Sequence, residues 1–122
     1  MQTPARAEYV ARINRVMDYV DENLGDPLTL DELARVAAFS PFCFRRIFAA
    51  FVGETPAQYI RRLRVERAAQ QLVAAPRKSV TEVALDCGFS GSAPFARAFR
   101  ETFVMTASEW RRSMGPRAQH ST

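Results

Sequence analysis

Residues 29–40, TLDELARVAAFS, return fifty residues later as residues 79–90, SVTEVALDCGFS. Thr29 falls over Ser79, Glu32 over Glu82, Ala34 over Ala84, Ala38 over Gly88 and Phe39 over Phe89. Further on the spacing becomes 51, with Phe44 over Phe95, Arg46 over Arg97, Phe48 over Phe99 and Thr55 over Thr106. One residue has therefore entered the tight segment ahead of the second apolar run. An internal repeat of this kind means one supersecondary unit used twice. In the first copy Thr29 caps a short helix with Leu30, Leu33, Ala34 and Ala37 inward. Ser40 and Pro41 then make an N-cap and N1 pair, so the next helix starts after a turn of three or four residues. Two short helices joined so tightly form the helix-turn-helix pattern. The second copy repeats it, with Val80, Val83, Ala84 and Cys87 inward and Gly88 as a permissive turn position. Pro94 fits only in a first helical turn, which places the start of that helix near Gly91 or Ser92.

Between the copies lies a helix spanning TPAQYIRRLRVERAAQQLVA, residues 55–74. Gly53 and Pro76 bound it, Thr55 caps it and Pro56 suits its first position. At about 1.5 Å per residue it is about 28 Å long. Its apolar stripe is loose: Tyr59, Ile60, Leu63 and Leu72, with Arg67 among them. Arg61, Arg62, Arg64 and Arg67 make it basic, and for Arg64 a buried pairing and a phosphate contact are both open. Four pairs have capping-box spacing, Thr29/Glu32, Thr55/Gln58, Ser79/Glu82 and Thr106/Glu109. Their matching placement in the two copies is what gives them weight.

Upstream, residues 1–7 read as a disordered leader. Val10, Ile13, Met17, Val20 and Leu24 then follow helical spacing, and Gly25 and Pro27 end that helix. Its outer face carries Asp18, Asp21 and Glu22, so it should lie away from any polyanion. Downstream, Thr106 caps a last helix running through Arg112 with Trp110 as its anchor, and Gly115 to Thr122 read as a tail. The expected architecture is all-α, about seven helices, with two helix-turn-helix subdomains joined by a long central helix. The boundaries are 8–53 for the first subdomain, 54–75 for the linking helix, 76–113 for the second and 114–122 for the tail.

At 122 residues, 48% of them hydrophobic, the chain can bury a core. The net charge of +4 conceals a gradient: residues 1–32 carry net −4 and residues 33–122 net +8. Sixteen of the seventeen basic residues are Arg, with Lys78 the exception. Arg brings a planar fork suited to phosphate and to guanine. No apolar run reaches the roughly 18 residues of a membrane span and no signal-peptide pattern opens the chain, so a cytoplasmic, nucleoid-associated protein is expected. Cys43 and Cys87 are too few for a disulfide framework or a zinc site and read as two core thiols. The single histidine, His120, falls in the tail, so no metal site, cofactor or catalytic machinery is expected.

A helical wheel at about 100° per residue places Phe44, Ile47, Phe48 and Phe51 on the core side of the third helix. Phe42, Arg45, Arg46 and Ala49 lie opposite. An aromatic and two arginines on the outer face of the second helix of such a pair suit major-groove reading: bidentate donors for guanine, apolar contact for thymine methyl. Packing of Phe42 on a neighbouring loop is the alternative. In the second copy Phe95, Ala98, Phe99 and Phe103 face inward, and Ala93, Ala96, Arg97 and Arg100 face out.

The segments LTLDELARVAAFSPFCFRRIFAAFVGETPAQYIRRLRVERAAQQL and VTEVALDCGFSGSAPFARAFRETF, the second with A-x3-G-F-x5-F-x-R-x-F, resemble the DNA-binding domain of the AraC/XylS family of bacterial transcription regulators. The resemblance covers about residues 8–113. It implies two helix-turn-helix modules on a rigid helix, reading two successive major-groove segments of double-stranded DNA as a monomer, usually to recruit RNA polymerase. Carried over by position, Phe42, Arg45 and Arg46 are base readers of the first module and Ser92, Ala93, Ala96 and Arg97 of the second. Ser40 and Ser90 stand at the helix starts, and Arg100 on the phosphate backbone. Val104 stands where the family usually has Gly, and Ala107 where it has Pro, which is expected to loosen the final turn. The small residues of the second reading face are expected to weaken its base readout. Family members usually carry a separate ligand-binding domain, so these residues are expected to be either a small stand-alone member or the DNA-binding part of a longer regulator whose effector domain follows Met114. The alternative function is a helical adaptor binding an acidic protein or RNA.

Overall fold

The computed structural model describes residues 4–114, and these form seven helices: α1 (Pro4–Glu22), α2 (Leu30–Ala37), α3 (Pro41–Val52), α4 (Pro56–Ala74), α5 (Val80–Asp86), α6 (Ser92–Phe103) and α7 (Ala107–Met114). The expected tail from Gly115 onward, His120 included, lies outside the described residues. Helix α1 starts earlier than expected, since residues 4–7 are helical. Pro4 suits the first helical position and Ala5, Arg6 and Ala7 propagate a helix well. The Arg6 guanidinium also sits 5.2 Å from the Phe51 ring centroid. At the other end α7 runs on to Met114, with Ser113 Oγ donating to the Glu109 carbonyl at 2.8 Å.

The buried stripe of α1 is Ile13, Val16 and Val20, continued by Leu24 in the turn that follows the helix. The expected stripe missed Val16, which is wholly enclosed, and included Met17 and Val10, which are half-buried. Leu33, Ala34 and Ala37 of α2 and Phe44 and Phe48 of α3 complete this core. The Tyr19 hydroxyl donates to the Glu32 carboxylate, tying α1 to α2. That bond holds the Tyr19 pKa above its ordinary value and engages the group that would have closed a capping box with Thr29. The other three boxes are complete: Thr55/Gln58, Ser79/Glu82 and Thr106/Glu109 each exchange both bonds.

By contacts the chain divides into two compact units at Ile60/Arg61, inside α4. The aromatic contacts explain the position. Phe44 and Phe48 stack at 5.6 Å with a tilt of 55°, and their counterparts Phe95 and Phe99 at 5.6 Å and 56°. Tyr59 then meets Phe48 edge-on at 5.3 Å, as Trp110 meets Phe99 at 6.2 Å. The first turn of α4 is thus to unit 1 what α7 is to unit 2. The rest of α4 contributes Val65, Ala68, Ala69 and Leu72 to the unit 2 core with Val83, Ala84, Cys87, Phe95, Ala98 and Phe99. Changing cores partway along is why the helix shows only a loose apolar stripe.

Helix α7 is fastened to α4 through polar contacts. Trp110 Nε1 donates to the Ala69 carbonyl at 3.0 Å, and Arg111 donates to the carbonyls of Leu72 at 2.9 Å and Ala75 at 3.3 Å. The last carbonyls of a helix have no partner within it, so Arg111 satisfies what α4 leaves open.

The two copies close their turns alike. Phe39 N–H donates to the Ala34 carbonyl and Phe89 N–H to the Ala84 carbonyl, each at 3.0 Å, across a left-handed residue: Ala38 at φ 60° and Gly88 at φ 96°. The helices that follow also end on left-handed residues, Gly53 at φ 89° and Val104 at φ 58°. Each copy therefore has one glycine and one L-residue in the two positions where glycine is favoured. Helix α7 still forms, capped by Thr106 and Glu109, so the replacement of the family's usual glycine leaves its strain at Val104 itself.

Candidate nucleic-acid interface

Ser40 Oγ accepts from Cys43 N–H at 3.2 Å and Pro41 occupies the first turn, which fixes where α3 begins. Phe44 and Phe48, buried to within 1% of full enclosure, then fix its rotation. The opposite face has no choice but to point outward. Phe42 is 69% exposed, Arg45 and Arg46 are exposed and Ala49 is half-buried. Packing of Phe42 on a loop is thereby excluded. Cys43, expected in the core, is exposed too, because the burial of Phe44 and Phe48 turns its side of α3 to solvent, and only Cys87 is a core thiol. The Arg46 guanidinium lies 5.6 Å from the Phe42 ring centroid, within cation–π range. Arg45 makes no hydrogen bond or ion pair with the described residues. Phe42, Arg45, Arg46 and Ala49 line a shallow depression of about 370 Å³, closed on one side by Thr55 and Pro56. Those last two residues, absent from the expected site, adjoin it because the α3–α4 turn brings them back beside α3.

The second copy is built differently at its start. Ser90 lies two residues ahead of α6, and the inserted residue makes Gly91 the N-cap, in extended conformation and without a side-chain bond. Gly in place of a hydroxyl cap costs only a few tenths of a kcal/mol. Pro94 falls in the first turn, as its missing N–H requires. Phe95, Ala98 and Phe99 are buried, which turns Ser92, Ala93, Ala96, Arg97 and Arg100 to solvent. The equivalents of Phe42 and Arg45 are Ala93 and Ala96, so Arg97 stands without an aromatic neighbour on its own helix face.

The structure thus gathers Ser40, Phe42, Arg45 and Arg46 on one exposed face of unit 1, and Ser92, Ala93, Ala96, Arg97 and Arg100 on one of unit 2. The basic residues of α4 are largely occupied elsewhere. Arg61 pairs with Glu101 of α6 at 2.7 Å, and its hydrogen bond holds the Glu101 carboxyl below the usual carboxylate range, with Arg97 adding to the effect. Arg62 pairs with Glu66 at 3.1 Å. Arg64 is half-buried, and that burial lowers its pKa from the ordinary guanidinium value.

Two copies of a capped helix, a tight left-handed turn and an arginine-bearing second helix define a double helix-turn-helix domain. A family model described as a helix-turn-helix domain matches residues 33–113. The regulatory protein SoxS of Salmonella typhimurium is 30% identical over 81% of this chain and 92% of its own. The TetD protein of transposon Tn10 from Escherichia coli is 35% identical over 83% of this chain and 72% of its own. The transcriptional regulator ArgR of Pseudomonas aeruginosa is 34% identical over 80% of this chain, which spans only 30% of that longer protein. Among solved structures, the DNA-binding domain of the global transcriptional factor AdpA, in complex with a target DNA, superposes with a TM-score of 0.82 at 28% identity, covering 88% of this chain and 95% of that one. An AraC-type regulator from Chromobacterium violaceum gives 0.79 at 29%, with the same coverage. The chain belongs to the AraC/XylS family of transcription regulators. Among the described residues, no helix is long and apolar enough to cross a membrane.

Proposed function

We propose that this chain is the DNA-reading part of a transcription regulator, binding double-stranded DNA as a monomer with α3 and α6 in two successive major-groove segments. The observation that carries this reading is the pair Arg46 and Arg97. They are equivalent by the repeat, and both are exposed on the second helix of a helix-turn-helix. A protein-binding adaptor has no reason to set equivalent cations on two equivalent helices. The internal repeat also supplies two reading helices in one molecule, where most helix-turn-helix proteins need a two-fold dimer. In this reading residues 8–53 and 76–113 are the modules, with 54–75 as their link. Phe42, Arg45 and Arg46 make up the reading face of the first, Arg97 reads in the second beside Ser92, Ala93 and Ala96, and Arg100 meets phosphate. Ser40 and Ser90 lie at the helix starts, close to the backbone.

Likeness to the XylDLEGF operon transcriptional activator 1 of Pseudomonas putida, 40% identical over 73% of this chain and 28% of that protein, supports transcriptional activation; recruitment of RNA polymerase and a place in the cytoplasm belong to the same proposal. The reading assigns the chain no catalysis and no cofactor. Cys87 is enclosed and burial pushes its thiol pKa up, which leaves it a poor nucleophile.

Selection of bound duplexes from a random pool at fixed salt tests the reading, with sedimentation of the selected complex. One base-specific site held by one protein copy is expected, and affinity should fall with salt at a log–log slope of magnitude about 4 to 8. Two copies per site would refute the monomeric mode. A slope near zero with no enriched sequence would favour the adaptor.

A further inference from the structure

Phe42 is a large apolar side chain left 69% exposed, while the next two aromatics along α3, Phe44 and Phe48, are buried. One helical turn on, at the i+4 position, the Arg46 guanidinium stands 5.6 Å from its ring centroid. The repeat supplies a comparison within the same molecule: Arg97 is the counterpart of Arg46, and the place of Phe42 is taken by Ala93. We propose that Phe42 is a positioning residue, a platform that holds Arg46 in the orientation from which it reads a base, and that Arg97 works without one. The inference rests on the DNA-reading function proposed above.

The physical reasoning concerns the freedom of a long side chain. An arginine has four rotatable side-chain bonds, and ordering an exposed one at an interface opposes binding. A ring beneath the guanidinium restricts it before DNA arrives. The contact engages the ring's π face and spends none of the five N–H donors, so all remain available for a bidentate bond to guanine. Arg45, next to Arg46 but without a ring contact, lacks this restraint. Phe42 as a thymine-methyl reader is the competing role, and it predicts something different. Its loss would alter preference at its own base pair whatever residue occupies position 46.

The test is a double-mutant cycle on the selected site, read as base preference at the pair contacted by Arg46. Leu at 42 keeps an apolar surface for a thymine methyl but offers no ring. Phe42→Leu should reduce preference there by about two- to fivefold, the range of exposed cation–π contacts. Phe42→Tyr should retain it. In the Arg46→Ala background Phe42→Leu should change nothing further. In the DNA-free protein the Arg46 Cδ protons should be shifted upfield by the ring current, keep that shift in Phe42→Tyr and lose it in Phe42→Leu. Equal effects of Phe42→Leu in both backgrounds, or an Arg46 side chain without the ring-current shift, would overturn the positioning role while leaving the DNA-reading function intact. A wild-type protein with no base preference at all would overturn both.

Discussion

Val104 offers a measurement of backbone strain with a matched control inside the same chain. It sits at φ 58° and ψ 25°, and its N–H donates to the Arg100 carbonyl at 2.9 Å to end α6. Its side chain is 86% exposed, so packing returns almost nothing. The left-handed region costs an L-residue about 1–2 kcal/mol, and a β-branched one stands at the upper end. Replacing it with glycine removes that strain but frees the unfolded chain, at about 0.5–1 kcal/mol. Val104→Gly should therefore stabilise by about 1 kcal/mol, which raises Tm by about 4 °C for a domain of this size. Gly53 holds the equivalent position at φ 89°, and a Cβ added there would meet no atom within 4 Å. Gly53→Val should then destabilise through the backbone alone, by about 1–3 kcal/mol. Thermal unfolding followed by circular dichroism, with denaturant titration for the free energies, measures both. A Val104→Gly protein no more stable than wild type, beside a Gly53→Val protein that loses nothing, would show that the turn relaxes and stores no strain.

Arg46→Ala should relax base preference at one operator position, whereas Arg100→Ala should weaken all sequences alike and lower the salt slope by about one; competition binding across salt separates them. Ala93→Phe should place a ring beside Arg97 and raise preference under the second module by about two- to fivefold in the same assay. Trp110→Phe should keep most of the stacking on Phe103, whose ring lies 4.7 Å away, but leave the Ala69 carbonyl without its indole donor, at about 1 kcal/mol in denaturant titration. The Glu109 carboxyl is held below its ordinary pKa by the Thr106 N–H it accepts from, so its contribution is present at neutral pH and lost as pH falls through the depressed value. Glu109→Gln should accordingly flatten the Tm change between pH 7 and about pH 3. A thiol reagent should label exposed Cys43 quickly and enclosed Cys87 only on unfolding, since burial keeps the Cys87 thiol protonated.

Where the sequence pattern and the local physics agreed, the fold was legible before any coordinates. The offset of 50 and then 51 located both helix-turn-helix units, and Pro94 placed the start of α6 near Gly91 or Ser92, where Gly91 is the cap and Ser92 the first helical residue. The outward faces of α3 and α6 followed from the phenylalanines opposite them. Val16 escaped notice because a stripe drawn through Val10 and Met17 already satisfied helical spacing, and only packing distinguishes two stripes so close together. The unit boundary inside α4 was hidden for a related reason. Tyr59 and Ile60 serve one core and Val65 to Leu72 another, so no single periodicity runs along the helix. Nor could the Phe42–Arg46 contact be read from a wheel, which places the two on one face but does not say that they touch. The paired fates of Arg61 and Arg111 depend on partners 40 and 39 residues distant, Glu101 and Leu72, and no local rule reaches them.

The match to the helix-turn-helix family begins at residue 33, but the first module's core begins at Ile13. Ile13, Val16, Val20 and Leu24 are each at least 97% buried, and all four precede the matched segment. Burying one such side chain contributes about 1.5–3 kcal/mol, so the four together weigh about as much as the whole stability of a small domain. Arg12 goes with them. It donates to the Ala38 carbonyl at 3.3 Å and lies over the Phe39 ring at 4.8 Å, bracing the turn where Ala38 takes the left-handed conformation without glycine's freedom. An expression fragment cut to the segment the family model matches, residues 33–113, would thus uncover Leu33, Phe44 and Phe48 and is expected to aggregate, although every residue proposed to touch DNA remains present. The unit that recognises and the unit that folds have different first residues, and an isolated reading domain has to be cut at the second.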